Sequence, residues 1–435
     1  MGKYFGTDGI RGIAFRELNS ELAFKVGQAI AHVLKPEVVV IGMDTRESSP
    51  MLAYSIANGL LACGVDVKLA GVVSTPMIAH YSKTHEIIGI MITASHNPYM
   101  DNGIKVFNKG YKTTEDVEEK LEDFIDNGQV ELKAFGQFSL TKDVTLLYLD
   151  IYSKIGLSLS KLKIGYDSAN GANYQIAKKI MSRINPKAIQ ISNEPNGLNI
   201  NLGCGSTHLK PILELVKEKH LDIAFSFDGD GDRIIVIDGD GTVYDGDLII
   251  YLIATYLKKK NLLNKNTVVL TKMSNPGILK ALKDKGIDYV LTDVGDKYVF
   301  HELYTNNYTI GGESSGHIIL THLLHTGDGL LVAVYLMQIL SELKTSLKEL
   351  VKDVKMYPLK LTNIKDIDKL VLKKDSIKKA VEDVKMKLGE NSLLLVRPSG
   401  TESLIRITIS HEDENMVQSV TTYLVDLITE EAKNL

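Results

Sequence analysis

The chain has 435 residues, which is too long for one hydrophobic core and predicts two to four domains. Hydrophobic residues make up 44% of the chain and charged residues 24%, a balance that is typical of globular proteins and excludes general disorder. The formal net charge of −4 argues against a general nucleic-acid or membrane-surface binder, because such proteins need a basic excess to neutralise phosphates.

The first residues, "MGKYFGTDGIRG", are rich in glycine and contain no apolar stretch like that of a secretory signal. The longest apolar runs, such as residues 248–257, are shorter than the roughly 18 residues that a bilayer requires. Two cysteines, Cys63 and Cys204, are too few for a disulfide framework or a thiolate metal site. We therefore expect a cytoplasmic protein with reduced thiols and no membrane-spanning helix.

Short β-rich runs alternate with amphipathic stretches through most of the chain. In the first round, strands are predicted over residues 37–44, 66–72 and 87–93, and a helix is predicted over 51–64. A polar helical segment follows at 113–128. This alternation predicts right-handed βαβ units and a mostly parallel sheet.

The same rhythm returns twice further along the chain. A strand, a glycine-rich turn and a helix are predicted over 162–184, a strand lies within 221–238, and a third round covers 266–295. The character then changes, because 365–389 is lysine-rich and helical, and 392–410 predicts two antiparallel strands around a loop. The three α/β rounds look like copies of one architecture. We predict four domains, with limits at 1–152, 153–250, 251–360 and 361–435.

The stretch "MITASHNPYMDNGIKVF" (91–107) places a Ser-His-Asn-Pro turn directly after a buried strand. Pro98 prevents the strand from continuing smoothly, so Ser95 is expected at a strand end. These residues alone leave two interpretations open. Ser95 and Asn97 either form the turn by bonding their own backbone, or Ser95 is a nucleophile or phosphate carrier.

The stretch "DGDGDR" (228–233) sets three carboxylates among glycines directly after a predicted strand. The carboxylates of Asp228, Asp230 and Asp232 would repel one another unless a cation neutralised them, and oxygen ligands select a hard ion such as Mg²⁺. An EF-hand is excluded, because its sixth position would be Arg233 rather than glycine. An exposed acidic turn is the alternative, and it suits the later "DGDGT" stretch, which we interpret as a hairpin.

The stretch "GGESSGH" (311–317) presents polar side chains on a glycine-flexible backbone. Glu313, Ser315 and His317 suit the recognition of hydroxyl groups, although a polar glycine-rich turn would have the same composition. From these residues alone, neither interpretation is favoured.

The stretch "RPSGTESLIR" (397–406) combines guanidinium groups with small residues, hydroxyls and free backbone N–H groups. Such a set is typical of a phosphate cradle, and a surface hairpin is the alternative. No Walker-type "GxxxxGK" occurs in the chain, so a nucleoside triphosphate is not indicated. The candidate phosphate ligands are Arg397, Ser399, Gly400, Thr401 and Arg406.

Taken together, these stretches resemble the α-D-phosphohexomutase family, whose four signatures appear here in order as "TASHNP", "DGDGDR", "GGESSGH" and "RPSGTE". Four motifs in a fixed order are far more specific than any one of them. The resemblance spans the whole chain. It implies an α/β fold of four domains, with three similar α/β domains built on mixed, mostly parallel sheets and a smaller α+β C-terminal domain.

The resemblance also implies roles for individual residues. Ser95 would carry a phosphoryl group as phosphoserine and would complete an Mg²⁺ site with Asp228, Asp230 and Asp232. Arg11 and Lys105 match family positions beside the phosphoserine, where they would stabilise the transferred oxygens or move a proton. His317 would contact the substrate or handle a proton, and His96 would orient its loop. The implied substrate-binding residues are Thr7, Arg233, Lys297, Glu313, Ser315, Arg397, Ser399, Gly400, Thr401 and Arg406.

Within the family, "FGTDGIRG" and residues 193–208 look like the bacterial branch that acts on glucosamine phosphates. Three residues depart from that branch, which usually has glutamine at Ser314, arginine at Lys297 and proline at Ser403. Ser314 and Lys297 bear most on sugar selectivity, because Ser314 lies in the loop where the relatives differ.

The implied activity is the interconversion of glucosamine 6-phosphate and glucosamine 1-phosphate, with glucosamine or glucose 1,6-bisphosphate as intermediate or activator. Its product would feed the synthesis of UDP-N-acetylglucosamine and peptidoglycan. The expected partner is the sugar-phosphate substrate, with no nucleic acid and no membrane. A homodimer with a second copy of the chain is also possible for this family. Two alternatives remain: a phosphomannomutase or phosphoglucomutase of the same fold, and a non-catalytic sugar-phosphate sensor.

Overall fold

The computed structural model of the protein describes residues 2–6, 8–130, 135–153, 159, 161–398 and 404–433. Its strands form four sheets that follow one another along the chain. We number the corresponding domains I to IV. One large cluster of buried apolar side chains continues from domain I through domains II and III, whereas domain IV has a core of its own.

Domain I contains an eight-stranded sheet with the strand order β1-β2-β6-β5-β3-β4-β8, in which β7 pairs with β6. Its strands and helices are β1 (Phe5–Gly6), β2 (Gly9–Ile13), α1 (Ser20–Leu34), β3 (Val38–Met43), α2 (Ser49–Ala62), β4 (Asp66–Val72), α3 (Thr75–His85), β5 (Ile88–Ile92), β6 (Asp101–Asn108), β7 (Tyr111–Lys112), α4 (Glu115–Asn127), β8 (Phe138–Leu140) and α5 (Asp143–Ser153).

Domain II contains a five-stranded sheet in the order β10-β9-β11-β12-β13. Its elements are β9 (Ile164–Asp167), α6 (Tyr174–Ile184), β10 (Ile189–Ile191), α7 (Lys210–Lys219), β11 (Ile223–Phe227), β12 (Ile234–Asp238) and β13 (Val243–Tyr244). The "DGDGT" stretch is indeed a hairpin, because β12 and β13 pair antiparallel on either side of it.

Domain III contains a four-stranded sheet in the order β15-β14-β16-β17. Its elements are α8 (Gly246–Lys259), a 3₁₀ turn (Asn264–Asn266), β14 (Thr267–Thr271), α9 (Pro276–Asp284), β15 (Asp288–Thr292), α10 (Asp296–Asn306), β16 (Ile310–Gly312), β17 (Ile318–Leu320), α11 (Gly329–Leu343) and α12 (Leu347–Leu350).

The three sheets share a core of four strands with one topology. Counted along the chain, the first core strand of each domain pairs in parallel with the second and with the third. The third core strand pairs antiparallel with the fourth. The cores are β4-β3-β5-β6, β10-β9-β11-β12 and β15-β14-β16-β17. The antiparallel pairs are β5 with β6, β11 with β12 and β16 with β17. The predicted mixed α/β architecture, repeated three times, is therefore confirmed.

Domain IV is a three-stranded antiparallel sheet with helices on it. Its elements are β18 (Leu359–Lys365), a 3₁₀ turn (Lys369–Lys373), α13 (Asp375–Leu388), β19 (Leu393–Pro398), β20 (Leu404–Ser410) and α14 (Glu414–Ala432). The antiparallel pair predicted within 392–410 is confirmed, since β19 and β20 pair antiparallel. The prediction that 365–389 is helical throughout is wrong, because only the part from Asp375 forms an α-helix.

The central strands of the sheets are apolar along most of their length, as their burial on both faces requires. All five residues of β5 and of β11 are buried, so these strands read as continuous apolar runs rather than as alternating ones. The polar helix α4 fully buries only Leu121 and Ile125, and its Val117 and Phe124 side chains are partly buried against the core of domain I.

Several helices begin at a residue whose side chain accepts a hydrogen bond from the first turn. Asn19, Asp245, Asn275 and Asp328 do so at the starts of α1, α8, α9 and α11. These N-caps define the residues at which the four helices begin.

In the described ranges, no helix combines the length and apolarity needed to cross a membrane. The predicted domain limit at 250 falls within α8, which begins at Gly246. The exact domain limits, the homodimer and the cytoplasmic location remain predictions from the sequence.

Candidate active site

The loops that connect the third and fourth core strands of the three α/β domains meet at one place. The β5–β6 loop holds Ser95, the β11–β12 loop holds the three aspartates, and the β16–β17 loop holds the "GGESSGH" segment. Ser95 contacts Asp228, and Asp232 lies against His317. Repetition of one fold therefore brings three predicted motifs together.

Ser95 lies at the end of β5 in a conformation that its residue type rarely adopts. Its φ angle is 52°, in the left-handed region, and its residue is 2% exposed. The hydroxyl donates a hydrogen bond of 2.6 Å to Oδ2 of Asp228, and the backbone N–H donates one of 2.9 Å to Oγ1 of Thr93. A sterically costly residue held in this way is typical of functional sites.

Two residues that the sequence analysis missed hold the Ser95 loop in place. The buried Arg46 guanidinium donates hydrogen bonds of 3.0 Å to the carbonyl oxygens of Ser95 and Asn97, and it pairs with Asp44 at 2.9 Å. The Nδ2 group of Asn201 donates to the same two carbonyls at 2.9 and 3.0 Å. The only signal for Arg46 is a charged "DTR" at the end of a predicted strand.

The three aspartates form a compact group that could hold a metal ion. One carboxylate oxygen from each of Asp228, Asp230 and Asp232 lies within 4.8 Å of the others, and all three residues are buried. An oxygen of Asp230 and an oxygen of Asp232 are buried and accept no hydrogen bond within the described part of the chain. Buried, unpartnered carboxylate oxygens fit a hard divalent cation.

Small residues allow this loop to approach the Ser95 loop closely. A Cβ atom on Gly229 would lie 2.5 Å from the carbonyl oxygen of Ser95, which is too close for any side chain. Thr75 supports the loop from the other side, because its hydroxyl donates to Oδ2 of Asp230 at 2.5 Å. The glycine spacing of the motif is thus required by packing.

Lys105 is a buried cation beside the carboxylates. Its Nζ lies 2.9 Å from Asp230, 3.5 Å from Asp232 and 3.1 Å from Asp8. Burial alone would lower the pKa of Lys105, but the three carboxylates outweigh it and raise that pKa well above its ordinary value. Arg11 lies nearby, since it pairs with Asp8 and donates to the Ala94 carbonyl at 3.3 Å.

His317 lies between two carboxylates. Its Nδ1 is 3.5 Å from Asp232 and its Nε2 is 3.7 Å from Asp296, and Gly327 packs so closely on the ring that a Cβ there would lie 2.4 Å from it. Burial would lower the pKa of His317, but Asp232, Asp296 and Glu313 raise it to about 9. The three carboxylates therefore favour the protonated form of the imidazole.

The carboxylates themselves carry unequal proton affinities. Burial, followed by the charges of Asp232 and Asp230, raises the pKa of Asp228 well above its ordinary value. Burial has the same tendency at Asp232, but Lys105 and His317 outweigh it and lower its pKa. Added positive charge near Asp228, which faces Ser95, would favour its ionised form.

The remaining predicted residues of domains II and III surround this group. The backbone N–H of Arg233 donates to Asp228 at 3.1 Å. The carboxylate of Glu313 accepts from the backbone of Gly295 at 3.0 Å and from the Ser315 hydroxyl at 3.5 Å. Lys297 instead pairs with Glu115 of domain I at 2.9 Å, at the edge of the site.

Arg397 and Arg406 lie opposite each other on the β19–β20 hairpin of domain IV. The hydrogen bonds and ion pairs described above all come from domains I to III. The predicted residues Thr7, Ser399, Gly400 and Thr401 lie outside the described residues.

Four family models match the chain in order. They are described as phosphoglucomutase/phosphomannomutase alpha/beta/alpha domains I, II and III and the C-terminal domain, and they match residues 2–131, 148–241, 245–357 and 359–426. The resemblance drawn from the four motifs is confirmed.

Curated relatives match over nearly the full chain. The phosphoglucosamine mutase of Caldicellulosiruptor bescii is 43% identical over 98% of this chain and 99% of its own. That of Geobacillus thermodenitrificans is 41% identical over 99% of each chain. Both are bacterial proteins of similar length.

Solved structures share the fold at lower identity. A phosphoglucomutase/phosphomannomutase family protein from Burkholderia thailandensis has a TM-score of 0.84 with 21% identity, and the match covers 99% of both chains. An N-acetylphosphoglucosamine mutase from Aspergillus fumigatus, solved with GlcNAc-6P and magnesium, has a TM-score of 0.65 with 16% identity, covering 99% of this chain and 96% of that one. On the family models and the sequence identity of the curated relatives, this chain belongs to the α-D-phosphohexomutase family of enzymes.

Proposed function

We propose that this protein interconverts glucosamine 6-phosphate and glucosamine 1-phosphate, and that Ser95 carries the transferred phosphoryl group. The names of its curated relatives support the substrate. The observation that carries the mechanism is the Ser95 hydroxyl, which lies 2.6 Å from a buried group of three carboxylates with unpartnered oxygens.

The carboxylates of Asp228, Asp230 and Asp232 are proposed to hold Mg²⁺, with a phosphoryl oxygen on Ser95 as a further ligand. The unpartnered oxygens support this assignment, and so does the magnesium in the Aspergillus fumigatus relative. When bound, Mg²⁺ would neutralise the negative charge that gathers where the phosphoryl group is transferred.

In the first transfer, O1 of glucosamine 6-phosphate attacks the phosphorus on Ser95, and the bond to the serine Oγ breaks; the O1 hydroxyl loses a proton and the serine Oγ takes one up. Glucosamine 1,6-bisphosphate results. In the second transfer, the serine Oγ loses its proton and attacks the phosphorus at O6, the bond to O6 breaks, O6 takes up a proton, and glucosamine 1-phosphate leaves. Glucosamine or glucose 1,6-bisphosphate would also restore phosphoserine after its loss.

The cations around Ser95 are assigned to the charge of the transferring group. Lys105 and His317 are both positively charged in this arrangement, so they are suited to holding phosphoryl oxygens. Arg11 lies close enough to the Ser95 loop to bind phosphoryl oxygens as well, because its guanidinium donates a hydrogen bond to the Ala94 carbonyl oxygen. Preorganised charges of this kind account for much of the catalysis of phosphoryl transfer.

The bisphosphate must present each of its ends to Ser95 in turn, so one distal site has to bind the other phosphate in both poses. Arg397 and Arg406 on the β19–β20 hairpin are proposed for that site. A domain IV that moves would let the intermediate turn over without leaving.

The decisive experiment is a coupled mutase assay on the 6-phosphates of glucosamine and glucose and on mannose 6-phosphate. We expect kcat/KM to be highest for the amino sugar. A higher value for glucose or mannose phosphate would instead assign the protein to the phosphoglucomutase or phosphomannomutase activity, and the absence of turnover on all three would leave only a sensor role.

Arg397→Ala should raise KM strongly and affect glucosamine and glucose phosphates alike. The guanidinium would grip the phosphate that is not reacting, an interaction equally strong in ground and transition states, which appears mainly in KM. A charge-assisted contact of about 1.5–3 kcal/mol corresponds to about one to two orders of magnitude in affinity. Steady-state kinetics on both sugars measures this.

Glu313→Gln should behave differently, because the Glu313 carboxylate is proposed to face the sugar and its 2-amino group, whose positive charge only the amino sugar has. We expect slower turnover and a narrower preference for glucosamine phosphate. If Arg397→Ala changed the sugar preference while Glu313→Gln left it unchanged, the two loops would be wrongly assigned.

A further inference from the structure

Six charged side chains form a closed ring across domains I to III, with positive and negative groups in alternation. In order around the ring they are Lys105, Asp8, Lys112, Asp296, His317 and Asp232. Three of them come from domain I, one from domain II and two from domain III. Each carboxylate is thus shared between two cations, and no step around the ring brings like charges together.

Every neighbouring pair in the ring lies within ion-pair distance. Lys112 pairs directly with Asp8 on one side and with Asp296 on the other. Asp296 lies 3.7 Å from His317, which lies 3.5 Å from Asp232. A chain of contacts therefore runs from the N-terminal loop of domain I to the imidazole beside the carboxylate group.

Lys112 and Asp296 belong to none of the four motifs, and Asp296 has been described only as a neighbour of His317. Lys112 ends β7 in domain I, and Asp296 begins α10 in domain III. Their side chains are 23% and 17% exposed, whereas that of His317 is 5% exposed. Burial would lower the pKa of Lys112, but Asp296 and Asp8 raise it, so the bridge is charged.

The same two residues and His317 line a cavity of about 650 Å³ between domains I and III. Tyr111 and Phe300, whose ring centroids are 5.3 Å apart, also line it. At this gap, the described contacts that cross between the domains near His317 include the Lys112–Asp296 pair. Other contacts also cross this gap, among them His325 Nε2 with the carbonyl oxygen of Gly110 at 2.8 Å and Lys297 with Glu115 at 2.9 Å. The Lys112–Asp296 pair reaches His317 directly, because Asp296 lies 3.7 Å from the imidazole.

We propose that Lys112 and Asp296 are positioning residues for the mutase reaction, which fix His317 and the start of α10 relative to Ser95. Lys112 ties domain III to Asp8, which also holds Arg11 and Lys105. Its removal would release one side of the ring without removing any group that contacts the reacting phosphoryl. The inference rests on the proposed function, because its main readout is mutase turnover.

Lys112→Met keeps the length of the side chain and removes its charge. We expect kcat to fall by about 10- to 100-fold, since small misplacements of catalytic groups cost that much, while KM stays within about twofold because Lys112 holds no substrate group. Lys112→Arg, which can still bridge two carboxylates, should retain most of the turnover. Asp296→Asn should resemble Lys112→Met.

The double variant Lys112→Met/Asp296→Asn separates a shared role from two independent ones. If the residues act through one another, the double variant should lose no more kcat than the worse single variant. If the kcat losses of the two single variants multiplied in the double variant, the residues would act independently and the proposal would be overturned. A rise in KM with unchanged kcat would also overturn it, and would indicate contact with the substrate.

Lys120→Met is the matched control, because Lys120 makes an exposed ion pair with Asp116 on the neighbouring helix α4. It should leave kcat unchanged. Hydrogen exchange of residues 293–299 provides a second readout and should be faster in Lys112→Met than in the wild type or in Lys120→Met.

The two proposals can fail separately. A wild type that turns over no sugar phosphate would refute the proposed function, and the exchange measurement would still show whether Lys112 holds the start of α10 in place. An active wild type, with Lys112→Met equal to it in both kcat and exchange, would refute the positioning role alone.

Discussion

Replacing Ser95 with alanine should abolish mutase turnover and the phosphorylated form of the protein together. The serine Oγ is the proposed phosphoryl carrier, so no other group in the site can replace it in both transfers. We expect turnover to fall by roughly three or more orders of magnitude. Intact-mass spectrometry of the wild type should reveal a species heavier by one phosphoryl group, which the variant lacks.

Ser226→Ala is the matched control for Ser95→Ala. Ser226 is also a fully buried serine, it lies on β11 two residues before Asp228, and its hydroxyl has no partner within the described residues. Its replacement should leave turnover intact, and intact-mass spectrometry should still show a species heavier than the unmodified variant by one phosphoryl group. Undiminished turnover in Ser95→Ala would refute the phosphoserine mechanism.

Removal of the metal should have the second large effect. The buried carboxylates and a phosphoryl group on Ser95 would together concentrate several negative charges, which transfer cannot tolerate without a cation. We expect excess chelator to abolish turnover and added Mg²⁺ to restore it. Full activity in excess chelator would contradict the assignment of this site.

Asp230→Asn should reproduce that effect within the chain. It removes one proposed ligand and one charge beside Lys105, so kcat should fall by about 100-fold or more with a smaller change in KM. Asp240→Asn is the control, because Asp240 belongs to the similar "DGDGT" turn but is exposed and pairs with Lys348. A loss of kcat in Asp240→Asn equal to that in Asp230→Asn would indicate a general electrostatic effect.

The sequence predicted the parts of the site that depend on local residue type. Ser95 and the three aspartates follow fully buried strands, whose continuous apolar runs mark where each strand ends. The sequence sets the three aspartates among glycines, and the structure adds that Gly229 permits the close approach to Ser95. The spacing of the four motifs along the chain does not show that they form one site. The resemblance to the family is what assigned them to a common site.

Residues that act through distant contacts could not be predicted in this way. Arg46 lies 49 positions before Ser95, and Lys112 lies 184 positions before Asp296, yet each pair is in contact. Neither cation differs in local pattern from a surface charge. Only the packing of the domains reveals their partners.

The strand β18 was also missed. Its residues alternate between exposed and partly buried, and Leu359 and Leu361 are exposed, so the segment gave little of the apolar signal that marks a strand. The lysines that follow it were then interpreted as one long helix. A surface strand of a small sheet is set by its pairing with β20 rather than by burial.

The repeated four-strand core has a consequence for how the chemistry of this protein can change. Each copy offers the same turn, between its third and fourth strands, but the first copy supplies a hydroxyl, the second supplies carboxylates, and the third supplies Glu313 and His317. Because each turn is anchored in its own sheet, a graft of the third turn from a relative could exchange the sugar that is accepted, provided that the graft keeps His317 beside Asp232. Under the proposed roles, Glu313 can vary with the sugar whereas His317 cannot.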